Sequence, residues 1–170
     1  SDHDSGDSFA VGTTTVTYTA VDAEGNTTTS SFTVTVVDAE APAISDMPAN
    51  INLSNDAGNC SALASWVEPS AGDNCSVATF TSTHSSGDAF AVGTTTVYYT
   101  ATDPAGNSTT STFTVTVTDD EDPSISGMPA DVNQTADAGM CSAVITWDAP
   151  AADDNCGVAT FTSSHDRGDA

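Results

Sequence analysis

Asp38 with Glu40, Asp73 with Asn74, and Asp103 with Asn107 are three short pairs of oxygen donors in a chain of 24 Asp and Glu and one Lys or Arg. Hard oxygen donors with so little positive charge to answer them suit a divalent cation of the calcium type. Eighty-one residues on, the pattern restarts as Asp119, Glu121, Asp154 and Asn155, with Asp122 and Asp153 adding charge, while Asp22 and Asn26 precede Asp103 and Asn107 by the same interval. The cysteines keep that period too: Cys60 and Cys75 recur as Cys141 and Cys156, fifteen residues apart each time. The expected bonds are therefore Cys60 to Cys75 and Cys141 to Cys156, each worth about 3 kcal/mol in the chain-entropy model. A zinc site would need close Cys or His doublets, and the sequence has none. An oxidised framework implies an exported protein.

No constellation in the sequence assembles a reactive centre. His3, His84 and His165 fall in register without a Cys or second His nearby, which fits a turn or surface role. There is no nucleophile elbow and no glycine-rich phosphate cradle, so no enzyme is expected. Arg167-Gly168-Asp169 spells an integrin-type tripeptide, but its register partners are Ser86-Gly87-Asp88 and Ser5-Gly6-Asp7. The Gly-Asp is a turn fixture and the arginine a local substitution.

The strands and turns that carry these residues repeat with a fixed period. Phe9 aligns with Phe90, Tyr18 with Tyr99 and Trp66 with Trp147, all without insertion or deletion. Such a period means tandem modules. Two full periods cover 1–81 and 82–162, and residues 163–170 restart the pattern of 1–8, which reads as a window on a longer array. Completion of one chain's 119–170 by another's 1–37 through strand donation is disfavoured, because it leaves the eight duplicated residues without a use.

The formal charge of −23 excludes a nucleic-acid partner, since that interaction rests on Lys and Arg displacing counterions. Disorder, another companion of high net charge, does not fit a sequence in which hydrophobic residues alternate strictly. No stretch approaches the ~20 apolar residues of a membrane helix, so no membrane insertion is expected of this segment. In 94–103, Val97, Tyr99 and Ala101 share one face; Phe113, Val115 and Val117 do so in the following strand. Between them, Asp103-Pro-Ala-Gly-Asn107 predicts a hairpin turn with Gly106 and Asn107 at positive φ. Residues 12–36 read as two further strands. Cys60, Ala62, Ala64 and Trp66 share a face, 69–74 reads as a loop, and 77–83 as another strand.

About seven short strands in 80 residues predict an all-β chain of immunoglobulin-like β-sandwich modules. Charge and proline at Asp38-Ala-Glu-Ala-Pro42 and Asp119-Asp-Glu-Asp-Pro123 set the boundaries, giving 1–37, 38–118 and 119–170. The short connection predicts modules joined end to end as a rod.

At these residues the chain resembles the hyalin repeat, or HYR domain, a module of extracellular and bacterial surface proteins. The resemblance lies in Asp38-x-Glu40-x-Pro42, Cys60 with Trp66 and Pro69, Asp73-Asn74-Cys75, Phe90-x-x-Gly93-Thr-Thr-Thr-Val97, Tyr99-x-Ala101-x-Asp103-x-x-Gly106-Asn107 and Phe113-Thr-Val-Thr-Val117. It implies adhesion or architecture outside the cell and no catalysis. In an immunoglobulin-type sandwich the first strand's start, the loop after the second strand and the last hairpin lie at one pole. Asp38, Glu40, Asp73, Asn74, Asp103 and Asn107 are then expected to gather where neighbouring modules abut, and to hold Ca²⁺ there. The expected function is a structural stalk, adhesin or filament whose partners are neighbouring identical modules. The rival expectations are a module whose loops bind a glycan or surface protein, and lateral bundling, which the charge opposes without cations. Threonine rows such as Thr13, Thr15, Thr17 and Thr19 follow from β-propensity; sequons at Asn26, Asn52, Asn107 and Asn133 arise readily in a chain rich in Asn and Thr.

Overall fold

A computed structural model describes residues 2–164, so His165 and the Arg167-Gly168-Asp169 tripeptide lie outside the described residues. The described chain is all-β and contains no helix. Its strands are β1 (Gly12–Val21), β2 (Thr27–Val36), β3 (Ala43–Ser45), β4 (Ile51–Ser54), β5 (Ser61–Leu63), β6 (Ser70–Gly72), β7 (Thr79–Ser82), β8 (Ala89–Ala91), β9 (Gly93–Thr102), β10 (Ser108–Thr118), β11 (Ser124–Ser126) and β12 (Ala151–Asp153). The chain divides into two compact units. One comprises Ser1–Met47, Pro69–Thr83 and Tyr98–Thr112; the other comprises Pro48–Glu68, His84–Val97 and Phe113–Ala170. One sheet runs in the order β4-β10-β9-β7, and both long strands β9 and β10 contribute to each unit.

In the first unit, β1 and β2 form an antiparallel hairpin in unbroken register from Gly12 opposite Val36 to Val21 opposite Thr27. β7 pairs antiparallel with the end of β9, and Phe80 lies 5.6 Å from Tyr99 between ring centroids. Alternation decides which side chains go inside. Tyr99 and Ala101 are buried, and the intervening Thr100 bonds hydroxyl to hydroxyl with Thr110 at 3.0 Å. The threonine row is thus a cross-strand feature of the solvated face, repeated by Thr13 with Thr35. Tyr18 and Phe32 are exposed although their register partners Tyr99 and Phe113 are buried.

The second unit takes β4 parallel to residues 115–118 of β10, and β5 antiparallel to β8. Val97, Phe113, Val115 and Val117 are buried, as are Ala62 and Ala64. Trp66 packs its ring 5.1 Å from Phe113, edge-on, and 6.1 Å from Phe90, an arrangement that aromatic quadrupoles favour. β11 pairs antiparallel with β12.

Three details depart from the reading of the sequence. Residues 70–72 are not loop: they form β6 and pair with β3, from Ser45 opposite Ser70 to Ala43 opposite Gly72. Of the two turn residues expected at positive φ, Gly106 adopts it, at 94°. Asn107 does not, and holds the turn with its side chain instead. The third departure is the disulfide. Cys60 is bonded to Cys156, with Cα atoms 4.7 Å apart, while Cys75 and Cys141 are free. Between Cys60 and Cys75 the chain forms β5 and β6, which pair with different strands, β8 and β3.

Candidate functional site

Asp22, Asp38, Asp73 and Asp103 each sit in a turn that the aspartate's own side chain builds. Asp103 Oδ1 accepts the Asn107 N–H at 2.8 Å, and its Oδ2 accepts Asn107 Nδ2 at 2.7 Å. Asp22 and Asn26 make the same two bonds at the end of β1. Side-chain oxygens that capture nearby backbone N–H groups are why Asp and Asn favour turns. Asp38 Oδ1 accepts the Glu40 N–H at 3.2 Å, and Asp73 Oδ2 accepts those of Cys75 and Ser76 at 2.9 and 3.1 Å. Asn107 Nδ2 also donates to the Asp38 carbonyl at 3.2 Å, which fastens the hairpin turn to the segment before β3.

The turns bring Asp38, Asp73 and Cys75 together, with one potential ligand atom from each inside a 4.8 Å span. Asp38 is buried, as is Asp103. Asp73 Oδ1 is also shielded from solvent and has no hydrogen-bond partner. An acceptor left in that condition is costly unless something satisfies it. Desolvation raises the Cys75 thiol above its ordinary pKa, and the hydrogen bond to Asp38 and the charges of Asp38, Asp73 and Asp103 raise it further. Burial acts to raise Asp103, but hydrogen bonds from the Asn107 side chain and from backbone N–H groups of 105–107 outweigh it and hold the carboxyl below its ordinary value. Asp22 is lowered chiefly by the Asn26 side chain.

The predicted ligands are thus sorted. Asp38 and Asp73 meet; Asp103 and Asn107 bind each other and are joined to Asp38 through its carbonyl; Glu40 contributes its N–H to the Asp38 turn. Asn74 is exposed. The two carboxylates, one with an unsatisfied buried oxygen, suit a hard ion such as Ca²⁺, whereas a thiol does not.

The second set is used differently, within the second unit. Glu121 accepts the Gly58 N–H at 2.8 Å, Asn155 Nδ2 donates to the Asn59 carbonyl at 2.9 Å, and Asp120 Oδ2 accepts the Ser54 hydroxyl at 2.6 Å. The Asp120 N–H donates to Asn55 Oδ1 at 3.1 Å. Asp119 and Asp154 close local turns on Glu121, and on Cys156 and Gly157. Asn155 Oδ1, like Asp73 Oδ1, is buried without a partner. Ser54, Asn55, Gly58 and Asn59 were not legible as contact residues. Asn55 and Asn59 become Ala136 and Met140 one period later, so no repeating side-chain signal marks either.

Hyalin from Strongylocentrotus purpuratus is 37% identical over 166 residues, which is 94% of this chain and 14% of that protein. Hyalin from Lytechinus variegatus is 37% identical over 164 residues, or 93% of this chain and 31% of that protein. The chain therefore spans less than a third of either relative. No solved structure matches it. The HYR domain model matches twice, over residues 1–36 and 37–117, covering the hairpin of β1 and β2 and then every strand from β3 to β10. With most of its length so matched, the chain belongs to the HYR domain family.

Proposed function

We propose that this chain is a structural segment of an extracellular array of HYR modules, with boundaries near 38 and 119, and that a calcium ion held by Asp38 and Asp73 stiffens the junction near 38. The observation that carries the cation is the meeting of buried Asp38 with Asp73, whose Oδ1 is buried and unsatisfied, in a sequence with one Lys or Arg. Two carboxylates leaving water together repel increasingly as the local dielectric falls. A divalent ion removes the repulsion and satisfies the orphaned oxygen, with water completing its six to eight ligands. Asp103 and Asn107 act as supports that fix the Asp38 segment, while Glu40, Asn74, Asp119, Glu121, Asp154 and Asn155 line the same repeat positions without meeting in one carboxylate group.

The array reading is supported by the fixed 81-residue period and by the two longer hyalin relatives. Export is supported by the disulfide and by those relatives. The segment needs no catalytic group for this role. Its stability lies within modules and between neighbours, so repetition adds length and stiffness.

Small-angle scattering on four consecutive repeats, in millimolar Ca²⁺ and then in chelator, tests this reading. An extended particle that becomes more compliant on chelation is the expected result. A particle whose scattering is unchanged by calcium would remove the cation from the mechanism.

A further inference from the structure

We propose that disulfides in this array join successive repeats and not the two cysteines within a repeat, so that Cys75 and Cys141 are the unfilled halves of two further bonds. The inference stands on the cysteine geometry and does not depend on calcium. Cys60 and Cys156 are 96 residues apart, one 81-residue period plus the fifteen-residue spacing of the pair. The bond therefore links the first cysteine of one repeat to the second cysteine of the next.

Both free cysteines sit in turns built like those of their bonded register partners. Around Cys60, the Asp56 N–H donates to the Ser61 carbonyl at 2.7 Å, the Asn59 N–H to the Asp56 carbonyl at 2.8 Å, and the Leu63 N–H to Asp56 Oδ2 at 3.1 Å. Around Cys141, Asp137 with Ser142, Met140 with Asp137, and Val144 with Asp137 Oδ2 repeat those three bonds at 2.8, 2.9 and 3.3 Å. Around Cys156, Asp154 Oδ1 accepts the N–H groups of Cys156 and Gly157, both at 2.9 Å; around Cys75, Asp73 accepts those of Cys75 and Ser76. Cys75 and Cys141 are exposed. By the same rule, Cys75 takes the first cysteine of the preceding repeat and Cys141 takes the second cysteine of the following one.

The contacts around the existing bond are partly independent of side-chain identity at the receiving repeat. Glu121 takes a backbone N–H from Gly58, and Asn155 donates to the backbone carbonyl of Asn59. Gly139 and Met140 occupy those positions one period later and offer the same backbone groups. Glu40 and Asn74 are the corresponding side chains one period earlier. Forming each bond removes one proton from each thiol and passes two electrons to a disulfide-type oxidant, which leaves as two thiols.

The connectivity has a mechanical consequence. Successive loops overlap by the fifteen residues from 141 to 156, so the shortest covalent route through one period is those fifteen residues and a disulfide. Fully extended, that route spans about 50 Å, against about 280 Å for the 81 residues of a reduced period. An oxidised array cannot release a whole repeat under tension.

The test is a non-reducing peptide map with thiol alkylation, on this 170-residue chain and on the chain lengthened by one register-matched repeat at each end. In the shorter chain the expected result is a Cys60–Cys156 peptide with Cys75 and Cys141 alkylated. In the longer chain both should become protected and appear in peptides joined to the added repeats. Peptides joining Cys60 to Cys75 and Cys141 to Cys156 would overturn the inference, as would continued alkylation of Cys75 and Cys141 in the lengthened chain.

Discussion

Asn107 Nδ2 lies 2.7 Å from Asp103 Oδ2 and also donates to the Asp38 carbonyl at 3.2 Å, so one amide group closes a hairpin and ties it to a segment 69 residues earlier. Asn107→Ala deletes both bonds and leaves the backbone one from Asn107 N–H to Asp103. The expected cost is about 1–2 kcal/mol. A lowered urea midpoint with an unchanged slope would report it.

Trp66 stands against both Phe90 and Phe113. Trp66→Ala should cost about 3–5 kcal/mol, because the cavity cannot be refilled from strands fixed by their ladders. Thermal unfolding checks this directly, and Trp66→Phe should recover most of the loss.

Reduction of Cys60–Cys156 opens a 96-residue loop. In the chain-entropy model a loop of that length contributes about 4–5 kcal/mol, more than the 3 kcal/mol of a fifteen-residue one. Stability measured with and without reductant should differ accordingly, and Cys75→Ser in this chain should leave the difference intact.

Much of this fold could be read from residue pattern alone. The period of two along Val97, Tyr99 and Ala101, and along Phe113, Val115 and Val117, specifies buried faces because a slip by one residue would expose every one of them. The β9–β10 turn was legible because Asp, Gly and Asn each have a local role there. β6 was not, since Ser70, Ala71 and Gly72 carry turn-like residues and owe their strand to backbone pairing with β3. Disulfide pairing was hidden for another reason. Four cysteines allow three connectivities, and spacing along the chain cannot tell which turns abut across repeats. The acidic residues lay between these extremes: Asp38 and Asp73 each have an oxygen within one 4.8 Å cluster that also takes in Cys75, whereas Asp103 is engaged by Asn107.

Acid should act on the turns in a defined window. Asp103 and Asp22 are held below the ordinary aspartate pKa in the folded chain. Their stabilising contribution is complete above the unfolded-state pKa and disappears as pH falls through the lower folded values. The stability difference between the wild type and Asp103→Asn should therefore be constant near neutrality and shrink at strongly acidic pH. Urea midpoints of both chains across that range give the comparison.

Calcium titration by calorimetry, run on the wild type and on Asp38→Asn with Asp73→Asn, tests the cation most directly. The expected result is saturable uptake by the wild type, lost in the double variant, with wild-type unfolding shifted by about 2.7 kcal/mol when free Ca²⁺ reaches a hundred times Kd. No heat of binding, together with the same melting temperature in calcium and in chelator, would contradict it.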